Sequence, residues 1–156
     1  MSLELIIGPM YSGKTTELLR IYNRYKCIDK NVIVITHSID TRYREGICSH
    51  DSQFCESLNL SCLADLDERL LRQSDVIIVE ELQFFDDAFE YITFWVDRCN
   101  KIVICAGLDG DFERNPFGDV LRLIPYSDKV TKFTALCKRC NDGTPAIFSK
   151  RISSDS

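Results

Sequence analysis

Nowhere in the 156 residues does an apolar run approach the ~18 consecutive residues that cross a bilayer. The N-terminal MSLELIIGPM also has neither the basic stretch nor the long apolar core of an export signal. These absences point away from a membrane and predict a soluble, cytoplasmic protein. Basic charge is short as well: 19 Lys and Arg stand against 24 Asp and Glu, for a net charge of −5 and a pI near 5.0. A chain of that sign has no electrostatic footprint for wrapping a nucleic-acid polymer, although a local site for a small anion is compatible with it. Internal repeats and low-complexity tracts are lacking. With 45% apolar residues, the length suits one packed domain with a small appendage and is too short for two full domains.

What is plentiful is cysteine, eight in all. Six of them, Cys27, Cys48, Cys55, Cys62, Cys99 and Cys105, have no ligand-like spacing and read as free thiols of a reducing compartment. Only Cys137 and Cys140 form a C-x-x-C pair, one half of a tetrahedral zinc site. A second pair is missing from the sequence, so three readings stay open: further ligands lie beyond it, another cysteine is recruited, or no metal binds.

Apolar periodicity predicts an alternation of strands and helices. Leu3 to Ile7 reads as a buried strand, and helical spacing follows from Gly13 through Leu18, Leu19, Tyr22 and Tyr25. Val32 to Thr36, Asp75 to Val79 and Lys101 to Ala106 are continuous β-branched runs, the pattern of a parallel sheet covered on both faces. Between them, residues 63–72 and 85–99 have helical period, the second with Asp86 or Asp87 as an N-cap. Residues 37–62 read as a long loop with a short strand near its end, and 108–118 as another loop. A β-rich stretch from Val130 delivers Cys137. The fold expected is α/β: a parallel sheet of the P-loop NTPase kind over residues 1–133, with a small β ribbon from 134 to 156.

Chemistry concentrates at strand ends. Gly8-Pro9-Met10-Tyr11-Ser12-Gly13-Lys14-Thr15 matches G-x-x-x-x-G-K-[ST] between a strand and a helix. There the glycines turn backbone N–H groups toward phosphates, Lys14 reaches the β- and γ-phosphates, and the Thr15 hydroxyl can ligate Mg²⁺. Glu80 and Glu81 end the third strand. One carboxylate can face Mg²⁺ and the other can take a proton from an attacking hydroxyl, the plain alternative being two solvated caps of the next helix. Asp40-Thr41-Arg42 lie in the loop after the second strand, where Arg42 could neutralise developing phosphoryl charge; taken singly, a solvated arginine is the commoner explanation.

Several strings taken together are more specific than any one of them. GPMYSGKTTEL (8–18), DTRY (40–43), SHD (49–51), EELQFF (80–85), LDGDFERNPFG (108–118) and TALCKRC (134–140) come in the order and spacing of the cellular-type (type II) thymidine kinases of cells and large DNA viruses, which the chain resembles from Leu3 to about Arg151.

The resemblance implies ATP and Mg²⁺ as cofactors, thymidine as acceptor, structural Zn²⁺ and a homotetramer. It places the nucleotide at Gly8 to Thr15 with Thr16, Asp40, Thr41, Arg42 and Gln83, makes Glu81 the general base, and sets Glu80 beside Thr15 on Mg²⁺. Met10, Phe84, Leu108, Phe112 and Phe117 would wall the thymine, although any one of these apolar residues could equally be core. Cys137 and Cys140 would supply the first half of a zinc ribbon anchoring a C-terminal lasso, here cut short. Two positions depart from the family pattern. Glu80 stands where an aspartate is usual, so its longer side chain must retract to reach the same ion. Leu82 stands where a glycine is usual and restricts the backbone. Competing readings are an NTPase with water as acceptor and a nucleotide sensor without turnover.

Overall fold

A computed structural model describes residues 1–39, 46–48, 54–137 and 139–148. Asp40, Thr41, Arg42, His50 and Lys138 lie outside them, as do residues 149–156. The first apolar run forms β1 (Ser2–Ile7), followed by the glycine loop and α1 (Lys14–Cys27), and then β2 (Val32–His37). Within 37–62, read above as loop, the chain pairs β3 (Gly46–Cys48) with β4 (Phe54–Glu56) as an antiparallel ribbon. It then adds β5 (Leu58–Leu60) alongside β2.

The expected helix at 63–72 is shorter than its period suggests. Leu63–Asp65 is a 3-10 turn, and α2 covers only Glu68–Gln73, where Asp67 caps the N–H groups of Arg69 and Leu70. β6 (Val76–Val79), a 3-10 turn at Leu82–Phe84, α3 (Ala88–Asp97) and β7 (Ile102–Gly107) follow. Asp87 sits at the α3 N-cap position but makes no capping bond with its side chain. Its carboxylate accepts the N–H groups of Leu63 and Ala64 instead, at 3.0 and 2.9 Å, a tertiary use that local sequence does not announce. A 3-10 segment (Val120–Tyr126), β8 (Lys129–Lys132), β9 (Ala135–Leu136) and β10 (Pro145–Ala146) complete the order.

The main sheet runs β5-β2-β6-β7-β1-β8, with parallel pairing throughout. Alternating strand residues feed two cores. On one face Leu3, Leu5, Ile35, Ile77, Val79, Val103 and Cys105 pack with Ile92 and Trp95 of α3 and with Val120 and Leu123. On the other, Ile6, Val34, Val76, Ile78, Ile104 and Ala106 meet Leu18, Leu19 and Ile21 of α1. This double cover explains why VIIV shows no polar alternation. Burying a leucine such as Leu18 completely contributes about 2 kcal/mol, so the apolar stripe, rather than helix propensity, holds α1 on the sheet. The architecture is the one expected from the sequence, an α/β parallel sheet of the P-loop kind.

Because the strands are parallel, the segments leaving their C-terminal ends share one edge of the sheet. There lie the glycine loop after β1, Glu80 and Glu81 after β6, the 108–118 loop after β7 and Phe133 after β8. Ligands of open α/β sheets bind at that edge, and the motifs converge on it.

Candidate active site

The glycine loop is shaped by backbone that few residues tolerate. Gly8 has φ +150°, and a Cβ there would come within 2.5 Å of the Phe133 carbonyl oxygen and 3.1 Å of Ser12 Oγ. Tyr11 (φ 62°) and Gly13 (φ 90°) are left-handed, and Gly13 stands at the N-cap of α1 with no side-chain cap. Ser12 Oγ donates to the Pro9 carbonyl at 2.7 Å, and Lys14 Nζ donates to the same oxygen at 2.6 Å. This folded loop leads into the N-terminus of a 14-residue helix, the arrangement that favours phosphate. Thr16 follows on α1 and is exposed.

Two residues that the sequence separates widely meet here: Thr15 Oγ1 donates to Glu80 Oε1. Glu80 is only 3% exposed, and its N–H bonds the Ile35 carbonyl at 2.8 Å, fixing the end of β6 against β2. A hydroxyl and a buried carboxylate brought together beside a phosphate loop are hard oxygen donors, the set that suits Mg²⁺. The longer Glu80 side chain thus reaches the threonine.

Glu81 leaves the strand in the left-handed conformation (φ 57°, ψ 43°), which turns the chain sharply at the sheet edge. Leu82 does not carry that strain. It enters the 3-10 turn and buries its side chain completely in the α3 core, so the restriction expected from replacing glycine falls on a backbone shape leucine accepts.

The apolar positions are partly assembled. Phe84 and Phe117 pack edge to face at 5.7 Å between ring centroids. Leu108 is held through its N–H, which donates to Gln83 Oε1 at 3.0 Å. Met10 and Phe112 are exposed, at 41% and 45%, on the glycine loop and the 108–118 loop. That second loop is a small hairpin, bridged between Gly110 and Pro116 and tied by the Asp111 carboxylate, which accepts the N–H groups of Glu113 and Asn115 at 2.9 Å each.

Three features escaped the reading of the sequence. Gln83, placed there among the nucleotide contacts, is 4% exposed and bonds Glu81 Oε2 through Nε2 at 2.6 Å as well as Leu108. His37 packs its ring against Phe84 and Phe85 at 5.8 and 4.8 Å. Lys132 pairs with Asp109 at 3.1 Å across the ends of β8 and β7. Only the glycines flanking the 108–118 loop hint at the first, and nothing local signals the others.

Cys137 and Cys140 lie on the β9–β10 turn, where the Cys140 N–H points at Cys137 Sγ at 3.3 Å. That backbone bond, followed by the Cys140 thiol, holds the Cys137 thiol below its ordinary range, while the hydrogen bond to Cys137 pushes Cys140 up. The thiols fit half of a zinc site. Among the described residues no cluster of three or more His, Cys, Asp or Glu side chains is gathered for a metal.

A family model for thymidine kinase matches residues 1–156. Similar curated proteins include the thymidine kinase of Vaccinia virus (strain Western Reserve), 43% identical over 150 residues that cover 96% of this chain and 82% of the relative. The thymidine kinase of Variola virus (isolate Human/India/Ind3/1967) is 42% identical over 153 residues, covering 98% and 84%. That of Sheeppox virus (strain KS-1) is 39% identical over 155 residues, with the same coverage. Among solved structures, a DNA replication initiation factor superposes with a TM-score of 0.53 at 14% identity, over 85% of this chain and 40% of that one, a likeness of fold alone.

Proposed function

The chain belongs to the thymidine kinase family, and on that premise we propose that Glu81 is the base in transfer of the ATP γ-phosphoryl group to the 5′-hydroxyl of thymidine. The protein is an ATP-dependent nucleoside kinase. The observation that carries the residue assignment is the meeting of Thr15 with Glu80 at the phosphate loop, one residue before Glu81.

The backbone N–H groups of the glycine loop, to which Pro9 contributes none, and the α1 N-terminus bind the phosphates, and Lys14 supplies the positive charge at the β- and γ-positions. Thr15 and Glu80 would hold Mg²⁺, which when bound neutralises phosphate charge. Glu81, turned to the sheet edge, takes the proton from the nucleoside hydroxyl as its oxygen attacks the γ-phosphorus in line with the departing ADP oxygen. Arg42, by the family pattern, stabilises the charge on the transferring group. Phe84 and Phe117, with Leu108, Met10 and Phe112, form the apolar wall for the thymine ring. Thr16, Asp40 and Thr41 border the nucleotide by the same pattern.

The reading extends to residues 1–133 as the kinase domain and 134–156 as part of a zinc ribbon, supported by the β9–β10 pair and its two thiols. A cytoplasmic location follows from the kinase reading, and no helix among the described residues is long and apolar enough to cross a membrane. A homotetramer rests on family resemblance. The test is ADP formation from Mg·ATP with and without thymidine. Thymidine is expected to stimulate turnover and Glu81→Gln to remove that stimulation; equal ADP formation without thymidine would overturn the acceptor, and an active Glu81→Gln would overturn the base.

A further inference from the structure

Glu81 sits on a left-handed backbone where the chain leaves the C-terminal end of β6, and a carboxylate on such a turn needs something to hold its direction. One group that does so is the Gln83 amide. Its orientation follows from chemistry: Leu108 N–H can only donate, so the amide oxygen faces it at 3.0 Å, and Nε2–H is left to donate to Glu81 Oε2 at 2.6 Å. Swapping the two ends would break both bonds.

The space around the amide is equally specific. A Cβ on Gly107 would lie 2.7 Å from Gln83 Oε1, and one on Gly118 would lie 2.6 Å from the Gln83 carbonyl oxygen. Gly118 also has φ +57°. Both ends of the 108–118 loop therefore close directly onto Gln83, and the side chain is 4% exposed. A side chain that merely filled the core would be apolar, and a bare contact to phosphate would leave the amide turned outward; here its oxygen and one N–H are engaged inside the protein.

We propose that Gln83 is a positioning residue that aims the Glu81 carboxylate and ties it to the backbone of the 108–118 loop. Closure of that loop on the nucleoside and orientation of the base are then parts of one rigid unit. The inference rests on Glu81 acting as the base, and it adds that the amide keeps that base aimed.

The experiment uses the full chain and compares Gln83→Glu, Gln83→Met, Glu81→Gln and the Gln83→Glu/Glu81→Gln double variant. Gln83→Glu keeps an oxygen for Leu108 but turns a carboxylate toward Glu81; Gln83→Met removes both bonds at similar volume. ATP-dependent rise of the melting temperature reports that each variant is folded and how well it binds nucleotide. Expected is a fall in kcat on the order of 10- to 100-fold for both Gln83 variants. ATP affinity should be retained, KM for thymidine should rise only in Gln83→Met, and the double variant should be no slower than Glu81→Gln. Wild-type kcat in a Gln83 variant that binds ATP, or a loss confined to ATP affinity, would overturn the positioning role. An active Glu81→Gln would instead remove the base assignment on which the proposal stands, and multiplying losses in the double variant would show the two residues acting independently.

Discussion

Replacing Leu82 by alanine separates a structural role from a catalytic one at a position directly beside the two strand-end carboxylates. Leu82 is fully buried and belongs to the cluster of Phe85, Ala88, Ile92 and Val120 on the α3 face, away from α1 and the phosphate loop. Truncating a leucine in such a site costs about 2–5 kcal/mol, the transfer free energy of the lost carbons plus the cavity they leave. A value of about 3 kcal/mol applies here, because Gly107, which has no side chain to move into the gap, lies opposite the Leu82 Cβ. For a chain of this length, each kcal/mol moves the melting temperature by roughly 2–4 °C, so Leu82→Ala should melt roughly 6–12 °C lower. Circular dichroism melts and urea titrations measure this, with an unchanged m-value showing that the folded state is still compact. ATP affinity of the folded variant should change by less than about ten-fold, or ~1.4 kcal/mol, since the side chain faces away from the nucleotide. A melting temperature within ~2 °C of the parent would refute the packing argument. Loss of ATP binding at temperatures where the variant is folded would refute the separation of the two faces.

Two further outcomes follow from the geometry. Gly8→Ala should lower ATP affinity at least ~10-fold in a thermal-shift titration, because the added carbon, 2.5 Å from the Phe133 carbonyl, forces the phosphate loop and the β8 end apart; unchanged affinity would contradict the role of that close approach. Burial pushes the Cys105 thiol up, so the fold favours its neutral form. That stabilisation is complete below the ordinary thiol range, about 8.5, and is lost as pH rises above it. Native protein at alkaline pH should therefore be alkylated by iodoacetamide at exposed Cys27 but not at Cys105 until denaturant is added, and equal labelling by peptide mass mapping would refute the burial.

The sheet was largely legible because its signals are local: β-branched runs without polar alternation announce strands covered on both faces, and VIVITH, VIIV and IVICAG became β2, β6 and β7 within a residue or two. The antiparallel pair β3–β4 was read as loop because three-residue strands are too short to show a period. The helix at 63–72 was overdrawn because Leu63, Leu66 and Leu70 keep helical spacing across the break before the Asp67 cap.

By itself, the sequence determined the phosphate loop, the paired carboxylates and the family, since each is carried by residue identities at fixed short spacing. The meeting of Thr15 with Glu80 across 65 positions was implied only through the family resemblance, while tertiary structure alone decided that Asp87 holds residues 63 and 64 instead of capping its own helix. It also decided that Gln83 bonds Glu81 and the loop after β7. The physical reason is one of reach. Hydrogen-bond partners distant in the chain are chosen by which strand ends the parallel sheet brings to one edge, and that choice depends on strand order, which no local pattern encodes.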